Sequence, residues 1–348
     1  MKKMLIFLLI LSLLCGCGAK VEREETVLFT DSLGRTVELP ETIDSIAVTG
    51  PLSQIYVLPL AEDLLVGVSN AYGANAAKYL PASLFEKQEI GQLYGGKGAL
   101  DPEALLAAAP DVVIDVGEAK SSMAADLDAL EQQTGIPFVH IDATVAAAPE
   151  AYRTLGRLLN RQEQGETLAS WCENTYADMV ALMEAVDADN GRKSLLYCLG
   201  NTGTYVLAKG SFHGETLDLM GDNVAVVEEV VAHGGGNESD LEQIMVWDPD
   251  VILFAPDSCY DEVGTLPQWQ AVPAVAEGRY YETPDGPYGW LSSPPGVQRY
   301  LGMLWLGELL YPEYVQYDLQ EAVTEYYALF YGCELTGEMY AELMEHAE

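Results

Sequence analysis

The sequence predicts an α/β fold of two parallel-sheet lobes that are joined by one long backbone helix, with a ligand cleft between the lobes. Short apolar runs typical of buried strands alternate with helical patterns, and this alternation favours parallel sheets. Two such sets lie on either side of a long helical region, and one stretch of sequence recurs once in each set. The alternation and the repeat together indicate two similar lobes.

The predicted strands are short and rich in Val, Ile and Leu. In the first set they cover residues 43–49, 64–68, 112–116 and 137–141. In the second set they cover residues 194–199, 205–208, 251–254 and 279–283. Segments of helical pattern and Gly-Pro or Gly-Gly turns separate them, as expected of parallel strands with helical crossovers.

The region between the two sets, residues 149–190, predicts the linking helices. Its second half places apolar residues at a spacing of three and four, which indicates an amphipathic helix of about five turns. Asn190-Gly191 ends the pattern. One stiff helix between two lobes would keep them apart and leave a cleft.

The repeated stretch is DPEALLAAAPDVVI at residues 101–114 and DLEQIMVWDPDVIL at residues 240–253. The first Asp, the Glu two positions later, the Pro-Asp pair and the Val after it are identical in register. This pattern predicts a short helix, a turn and a buried strand in each lobe. Its equivalent place in both sets favours duplication over chance.

The N-terminus has the order of an export signal. Two lysines precede an apolar run over residues 4–15, which is too short to cross a bilayer. The run leads into the sequence LCGC, which resembles the lipobox of bacterial lipoproteins. That resemblance implies cleavage before Cys17 and lipidation of its thiol. We therefore expect residues 1–16 to be a signal peptide and residues 17–28 to be a lipid-anchored tether.

Composition excludes several classes of function. The 348 residues carry a formal net charge of −37, which argues against nucleic-acid binding because phosphate recognition needs clustered Lys and Arg. The sequence contains no Cys-x-x-Cys pair and no HExxH motif, so it predicts neither a zinc site nor a disulfide framework. A secreted hydrolase is the alternative from another class, but no Gly-x-Ser-x-Gly elbow supports it.

Several segments, in this order, resemble the substrate-binding lipoproteins of bacterial ABC importers, in the helical-backbone class that serves ferric siderophores, haem and cobalamin. They cover nearly the whole chain from residue 29 to residue 312. The segments are TDSLGRTVELP at 30–40, IAV at 46–48, LLVGV at 64–68, the two repeats, GSFHGETLDLMG at 210–221 and LGMLWLGELLYP at 301–312.

The resemblance implies an N-terminal lobe over residues 29–148 and a C-terminal lobe over residues 191–312, followed by a helical tail over residues 313–348. It also implies a monomeric protein on the outer face of the cytoplasmic membrane, on the periplasmic side if an outer membrane exists. Such a protein would deliver its ligand to an ABC permease dimer with its ATPase. No resident cofactor is expected, although the ligand can carry iron or cobalt.

The ligand is expected in the loops beyond the carboxyl ends of the strands, where α/β folds gather their binding residues. These loops are rich in aromatic residues and poor in cations, which suits a large, flat or macrocyclic ligand held by apolar contact. The candidate ligand-binding residues are Pro51, Leu52, Tyr72, Tyr94, Lys97, Lys209, Phe212, His213, Tyr288, Trp290 and Arg299.

Two other interpretations of the ligand stay open. Haem would need an axial ligand, for which Tyr94 and His213 are candidates, although the Gly-Gly-Lys that follows Tyr94 departs from the haem pattern. Molybdate or tungstate would need backbone N–H groups and a cation. Lys97, Lys209 and Arg299 are the cations available for an oxyanion, and Arg299 lies at a predicted helix start.

Glu103 and Glu242 occupy the same position in the two repeats. The resemblance implies that each docks one lobe onto Arg residues of one permease subunit. A pseudo-twofold pair of carboxylates fits a dimeric partner, which presents two equivalent surfaces. The alternative is that both are acids favoured by the dipole at a helix N-terminus.

Overall fold

An antiparallel hairpin precedes the first lobe in the computed structural model, which describes residues 25–94, 99–231, 234–256 and 258–348. Strands β1 (Thr26–Thr30) and β2 (Thr36–Pro40) pair around a turn at Asp31, whose carboxylate accepts hydrogen bonds from the backbone N–H groups of Leu33 and Arg35. Cys17 and Lys97 lie outside the described residues.

The first lobe is built on a three-stranded parallel sheet in the order β3-β4-β5. These strands are β3 (Ile46–Val48), β4 (Val112–Gly117) and β5 (Phe138–Asp142). The helices of this lobe are α1 (Pro51–Ala61), α2 (Pro102–Ala108) and α3 (Met123–Thr134).

The strand predicted at residues 64–68 is reduced to two isolated bridges. Leu65 bridges Ile46, whereas Val68 bridges Glu89. The chain therefore changes its hydrogen-bond partner within three residues, and no continuous ladder forms.

Two packed helices make up the linking region. They are α4 (Ala148–Leu158) and α5 (Gln162–Ala188). The helices cross closely at Gly165, where a Cβ atom would lie 2.9 Å from the Cα of Gly156. Helix α5 is about 40 Å long at 1.5 Å per residue, and its predicted apolar stripe is buried. It supplies the long helix that the sequence predicts.

The second lobe contains a six-stranded sheet in the order β11-β10-β6-β7-β9, with β8 paired to β6. The strands are β6 (Ser194–Leu199), β7 (Tyr205–Val206), β8 (Asp222–Asn223), β9 (Asn237–Glu238), β10 (Val251–Phe254) and β11 (Tyr280–Glu282). Its helices are α6 (Glu215–Met220), α7 (Leu241–Trp247), α8 (Tyr260–Val263), α9 (Pro273–Ala276) and α10 (Arg299–Leu310).

This second sheet is mixed, because β7 runs antiparallel to β6. The connection between them is a tight turn in which Gly200 and Gly203 have φ of 73° and 68°. Such a turn can join only antiparallel neighbours, since a parallel pair needs a crossover of a dozen residues or more. The prediction of parallel strands is therefore correct where a crossover connects the strands, but not for β7.

The tail forms α11 (Leu319–Tyr331) and α12 (Gly337–Leu343). Rings of α11 pack against the linking helices, with Phe330 5.4 Å from Trp171 between ring centroids. The chain end contacts the second lobe, where the Glu282 N–H donates to the carbonyl oxygen of His346 at 3.0 Å. The tail therefore packs on more than one part of the protein.

The repeated sequence forms the same unit twice. Asp101 and Asp240 cap α2 and α7, and both helices end in a residue with left-handed φ, 48° at Ala109 and 43° at Asp248. The Asp of each Pro-Asp pair then accepts a hydrogen bond at 2.9 Å from a serine hydroxyl at the start of the neighbouring strand segment. Most of the identical positions are thus explained by local structure, but the shared Glu is not.

None of the helices in the described ranges is both long enough and apolar enough to cross a membrane.

Candidate functional site

A cavity of about 280 Å³ lies between the two lobes. Glu118 and Val145 line it from the first lobe, Tyr176 from α5, and Phe212 and Glu215 from the second lobe. Glu118 directly follows β4, so the cavity lies at the carboxyl edge of the first sheet, where ligands bind in α/β folds. Its volume lies just below the usual range of small-molecule sites, which is about 300–1,000 Å³.

Hydrogen bonds join the lobes at the edge of this cavity. Glu215 Oε2 accepts a hydrogen bond from the Val145 N–H at 3.2 Å. The Tyr300 hydroxyl, on α10, donates to the Val145 carbonyl oxygen at 2.7 Å. The backbone N–H and the carbonyl oxygen of Val145, in the first lobe, are therefore both hydrogen-bonded to side chains that follow the linking helices in the chain.

Arg299 is fully buried beside the cavity. Its Nη1 donates to Glu215 Oε2 at 2.7 Å and to the Phe212 carbonyl oxygen at 2.8 Å. Its guanidinium lies 4.7 Å from the centroid of the Phe212 ring, within the range of a cation–π contact. The charge of Arg299 is thus already balanced by a carboxylate, which weakens its predicted role as an anion site.

Glu118 differs from the other carboxylates of the cavity. Asp218 accepts hydrogen bonds from the Gly210 N–H and from Asn223, and Glu215 is paired with Arg299. Glu118 is half-buried, and within the described ranges its carboxylate makes no hydrogen bond or ion pair. Burial raises the pKa of its carboxyl group, and the charge of Glu215 raises that pKa further, whereas Lys120 lowers it.

The sequence predicts binding residues in the loops that follow the strands, but Glu118 is not among the candidate ligand-binding residues. The available signal was its position, because an acid directly after a buried strand lies at the carboxyl edge of the sheet.

Two of the predicted ligand-binding residues lie close to Glu118. Pro51 and Leu52 open α1 and are half-buried. Gly117 has a φ of 147°, and a Cβ atom there would lie 2.9 Å from Leu52 Cδ2. The first turn of α1 therefore packs against the end of β4, next to the cavity.

Three predicted aromatic residues lie away from the cavity lining. Tyr72 accepts a hydrogen bond from Gln54 Nε2 at 2.6 Å, and burial raises its pKa to about 12. The Tyr288 ring lies 6.2 Å from that of Tyr331 in the tail. Trp290 is 0% exposed.

The buried position of Trp290 does not favour its expected role as a ligand anchor. The backbone N–H of Trp290 donates to the Pro284 carbonyl oxygen at 3.0 Å. A Cβ atom at Gly302 of α10 would lie 2.5 Å from the Trp290 carbonyl oxygen, so the loop packs directly on that helix. Trp290 is part of the core.

Both candidates for haem ligation are engaged by protein groups. The Tyr94 hydroxyl donates to Asp126 Oδ2 at 3.2 Å, and Lys120 Nζ lies 4.7 Å from the centroid of its ring. Burial raises the pKa of Tyr94. His213 Nδ1 lies 2.9 Å from Ser292 Oγ, at hydrogen-bond distance.

The remaining predicted cation, Lys209, forms an exposed ion pair with Asp222 at 2.6 Å. In the part of the chain that the structure describes, no group of three or more His, Cys, Asp or Glu side chains is arranged to hold a metal ion.

The predicted docking residues, Glu103 and Glu242, are both exposed on equivalent short helices. Their carboxylates make no hydrogen bond or ion pair with other described residues. Each lies near an exposed apolar side chain at an equivalent position of the repeat, Leu106 and Met245. Asp101 and Asp240 supply the helix caps, so capping does not require either glutamate.

Comparison with known proteins gives the family. Residues 46–287 match the family described as periplasmic binding protein. No relative was found among curated proteins.

Several solved structures share the fold. An ABC transporter solute-binding protein from Sulfurospirillum deleyianum superposes with a TM-score of 0.83 at 26% identity, covering 91% of this chain and 99% of that one. A periplasmic solute-binding protein from Veillonella parvula has a TM-score of 0.75 at 24% identity, covering 93% and 98%. A molybdate-bound periplasmic binding protein from Haemophilus influenzae has a TM-score of 0.69 at 22% identity, covering 89% and 99%.

These matches confirm the two-lobe α/β fold and the resemblance that the sequence carries. They also exclude the hydrolase alternative, because members of this family bind solutes for ABC transporters and are not enzymes. The chain belongs to the periplasmic binding protein family and is an extracytoplasmic solute-binding protein of an ABC transporter.

Proposed function

We propose that the protein captures a metal chelate or corrinoid between its lobes and delivers it to an ABC permease dimer with its ATPase. Ferric siderophores, haem and cobalamin are the candidate cargoes. The observation that carries this proposal is the cavity at the carboxyl edge of the first sheet, with walls from both lobes and from α5. Its Phe212 and Tyr176 rings offer apolar contact.

The cargo would arrive with its metal already chelated. The described residues contain no cluster of metal-binding side chains, so a bare ion would find no ligand set. Haem ligation by Tyr94 or His213 would first require those side chains to leave Asp126 and Ser292.

Molybdate or tungstate is the alternative, and the charges near the cavity give it less support. Arg299 is paired with Glu215, and Lys209 is paired with Asp222. An oxyanion would have to share either cation with a carboxylate, and the Arg299 Nη2 atom, which has no hydrogen-bond partner among the described residues, is buried.

The proposed function also includes a location at the membrane and a permease partner. We infer that Cys17 carries a lipid that holds the protein, as a monomer, on the outer face of the cytoplasmic membrane. We also infer that Glu103 and Glu242 dock the two lobes on the permease, because both are exposed and take no part in capping.

A thermal-shift panel of ferric siderophores, haemin, cobalamin, molybdate and tungstate tests the cargo. A ligand that binds only the native state adds about 2.7 kcal/mol at a hundredfold excess over Kd, which is readily measured. We expect stabilisation by a chelate or corrinoid. Stabilisation by molybdate or tungstate alone would establish the oxyanion alternative.

A further inference from the structure

We propose that the cavity selects a chelate of net positive charge and that the Glu118 carboxylate is the group that recognises this charge. This inference rests on the proposed function, because it names the charge class of the same cargo.

The cavity has an excess of negative charge. Glu118, Glu215 and Asp218 line it, whereas Lys and Arg are missing from the lining among the described residues. Arg299 lies just behind Phe212 and forms an ion pair with Glu215. Asp142 adds a further negative charge near Glu118, whereas Lys120 and Arg299 are positive charges that oppose it. An anionic cargo would therefore be repelled by the negative electrostatic potential of the cavity.

Glu118 has more hydrogen-bonding capacity left for a cargo than the neighbouring acids. Glu215 Oε2 already accepts hydrogen bonds from Arg299 and Val145, and the two oxygens of Asp218 accept hydrogen bonds from Gly210 and Asn223. Glu118 has no such partner within the described ranges, although it is half-buried in the wall of the cavity. A carboxylate withdrawn from water is stabilised by a charged donor, and a cationic cargo would supply one.

The acids of the cavity come from both lobes, which adds a reason for charge selection. Glu118 belongs to the first lobe and Glu215 to the second, and the charge of Glu215 raises the pKa of Glu118 although Arg299 is paired with Glu215. A cation placed between the two carboxylates would be attracted by both, whereas an anion would be repelled by both.

The positive charge must be carried on a larger molecule. The described acids do not form a metal-binding group, which excludes direct chelation by them. Tyr176 and Phe212 provide aromatic surface beside Glu118. This combination fits an ammonium or similar cationic group on a metal chelate.

Three hexadentate iron(III) complexes of different charge test the inference: cationic ferrioxamine B, neutral ferrichrome and anionic ferric enterobactin. Their affinities are measured by quenching of intrinsic fluorescence. We expect ferrioxamine B to bind tightest, and Glu118→Gln to weaken it about tenfold or more, as for a hydrogen bond to a charged group. The same variant should weaken ferrioxamine B more than it changes the affinity for ferrichrome. Glu184→Gln, an identical change on an exposed face of α5, is the matched control and should change nothing.

The outcomes separate the two proposals. Equal or tighter binding of ferrichrome or ferric enterobactin would overturn the charge inference and leave the proposed function standing. Equal weakening of all three complexes by Glu118→Gln would assign Glu118 a structural role instead. Binding of none of the three, with binding of molybdate, would remove the proposed function and this inference together.

Discussion

Glu215 and Arg299 form an ion pair of unequal burial, with 2.7 Å between Oε2 and Nη1. The Arg299 side chain is 0% exposed and that of Glu215 is 29% exposed. The same Glu215 oxygen also accepts the N–H of Val145, so the pair couples α10 and α6 to the first lobe.

This asymmetry predicts an order of stabilities. Glu215→Ala should cost about 3–5 kcal/mol of unfolding free energy, because it leaves a fully buried guanidinium without its charge partner. Arg299→Met should cost less, since the remaining carboxylate is partly in water. Denaturant unfolding of both variants checks this, and an equal or reversed order would contradict it.

The raised pKa of Glu118 predicts a stabilising substitution. A carboxyl whose pKa is higher in the folded state than its usual 4.5 favours folding when it is protonated, and that contribution is lost as the pH rises through the folded pKa. Glu118→Gln should therefore raise the Tm of the empty protein near pH 7, and the gain should disappear below about pH 4.5.

The pH series of Tm values for wild type and Glu118→Gln provides the measurement. Glu215, Asp142, Lys120 and Arg299 are the other charges that act on this carboxyl group. A gain in Tm that is constant over the whole range would show that the glutamine acts through packing and not through charge.

Trp290→Ala is expected to damage the fold before it damages binding. Its side chain is fully buried, so truncation leaves a cavity and costs about 3–5 kcal/mol. Chemical denaturation measures this loss, and ligand affinity is then compared below the new transition. A stable variant with weakened binding would restore Trp290 as a ligand anchor.

The sequence predicts parts of the fold and of the site, and the repeat, strand β7, Trp290, Arg299 and Glu118 show where it succeeds and where it fails. The repeat predicts α2 and α7 well, since its Asp caps and Pro-Asp turns act locally. The direction of β7 depends on a turn containing Gly200 and Gly203, which the strand pattern alone does not reveal. The sequence places Trp290 in a loop and Arg299 at a helix start. Only tertiary packing buries them, Trp290 against α10 and Arg299 against Glu215. Glu118 was missed because an unpartnered acid can be recognised only when its surroundings are known.

Cys17→Ser should release the protein from the membrane. Without the thiol no lipid can be attached, and the lipid is the proposed anchor. Membrane fractionation and labelling with a radioactive fatty acid measure this. Unchanged fractionation with no loss of label would contradict anchoring through this residue.

The double variant Glu103→Ala/Glu242→Ala should abolish uptake and leave ligand affinity and Tm nearly unchanged. Both side chains are exposed, and the caps of their helices come from Asp101 and Asp240. Carboxylates at equivalent positions of two lobes can pair with Arg on two equivalent permease subunits, and such pairs fix orientation as well as adding energy. Asp101→Ala is the matched control, because loss of the cap should cost about 1 kcal/mol of stability without removing a docking charge. Normal uptake by the double variant, or a loss of stability larger than that of Asp101→Ala, would assign both glutamates to the helix dipole instead.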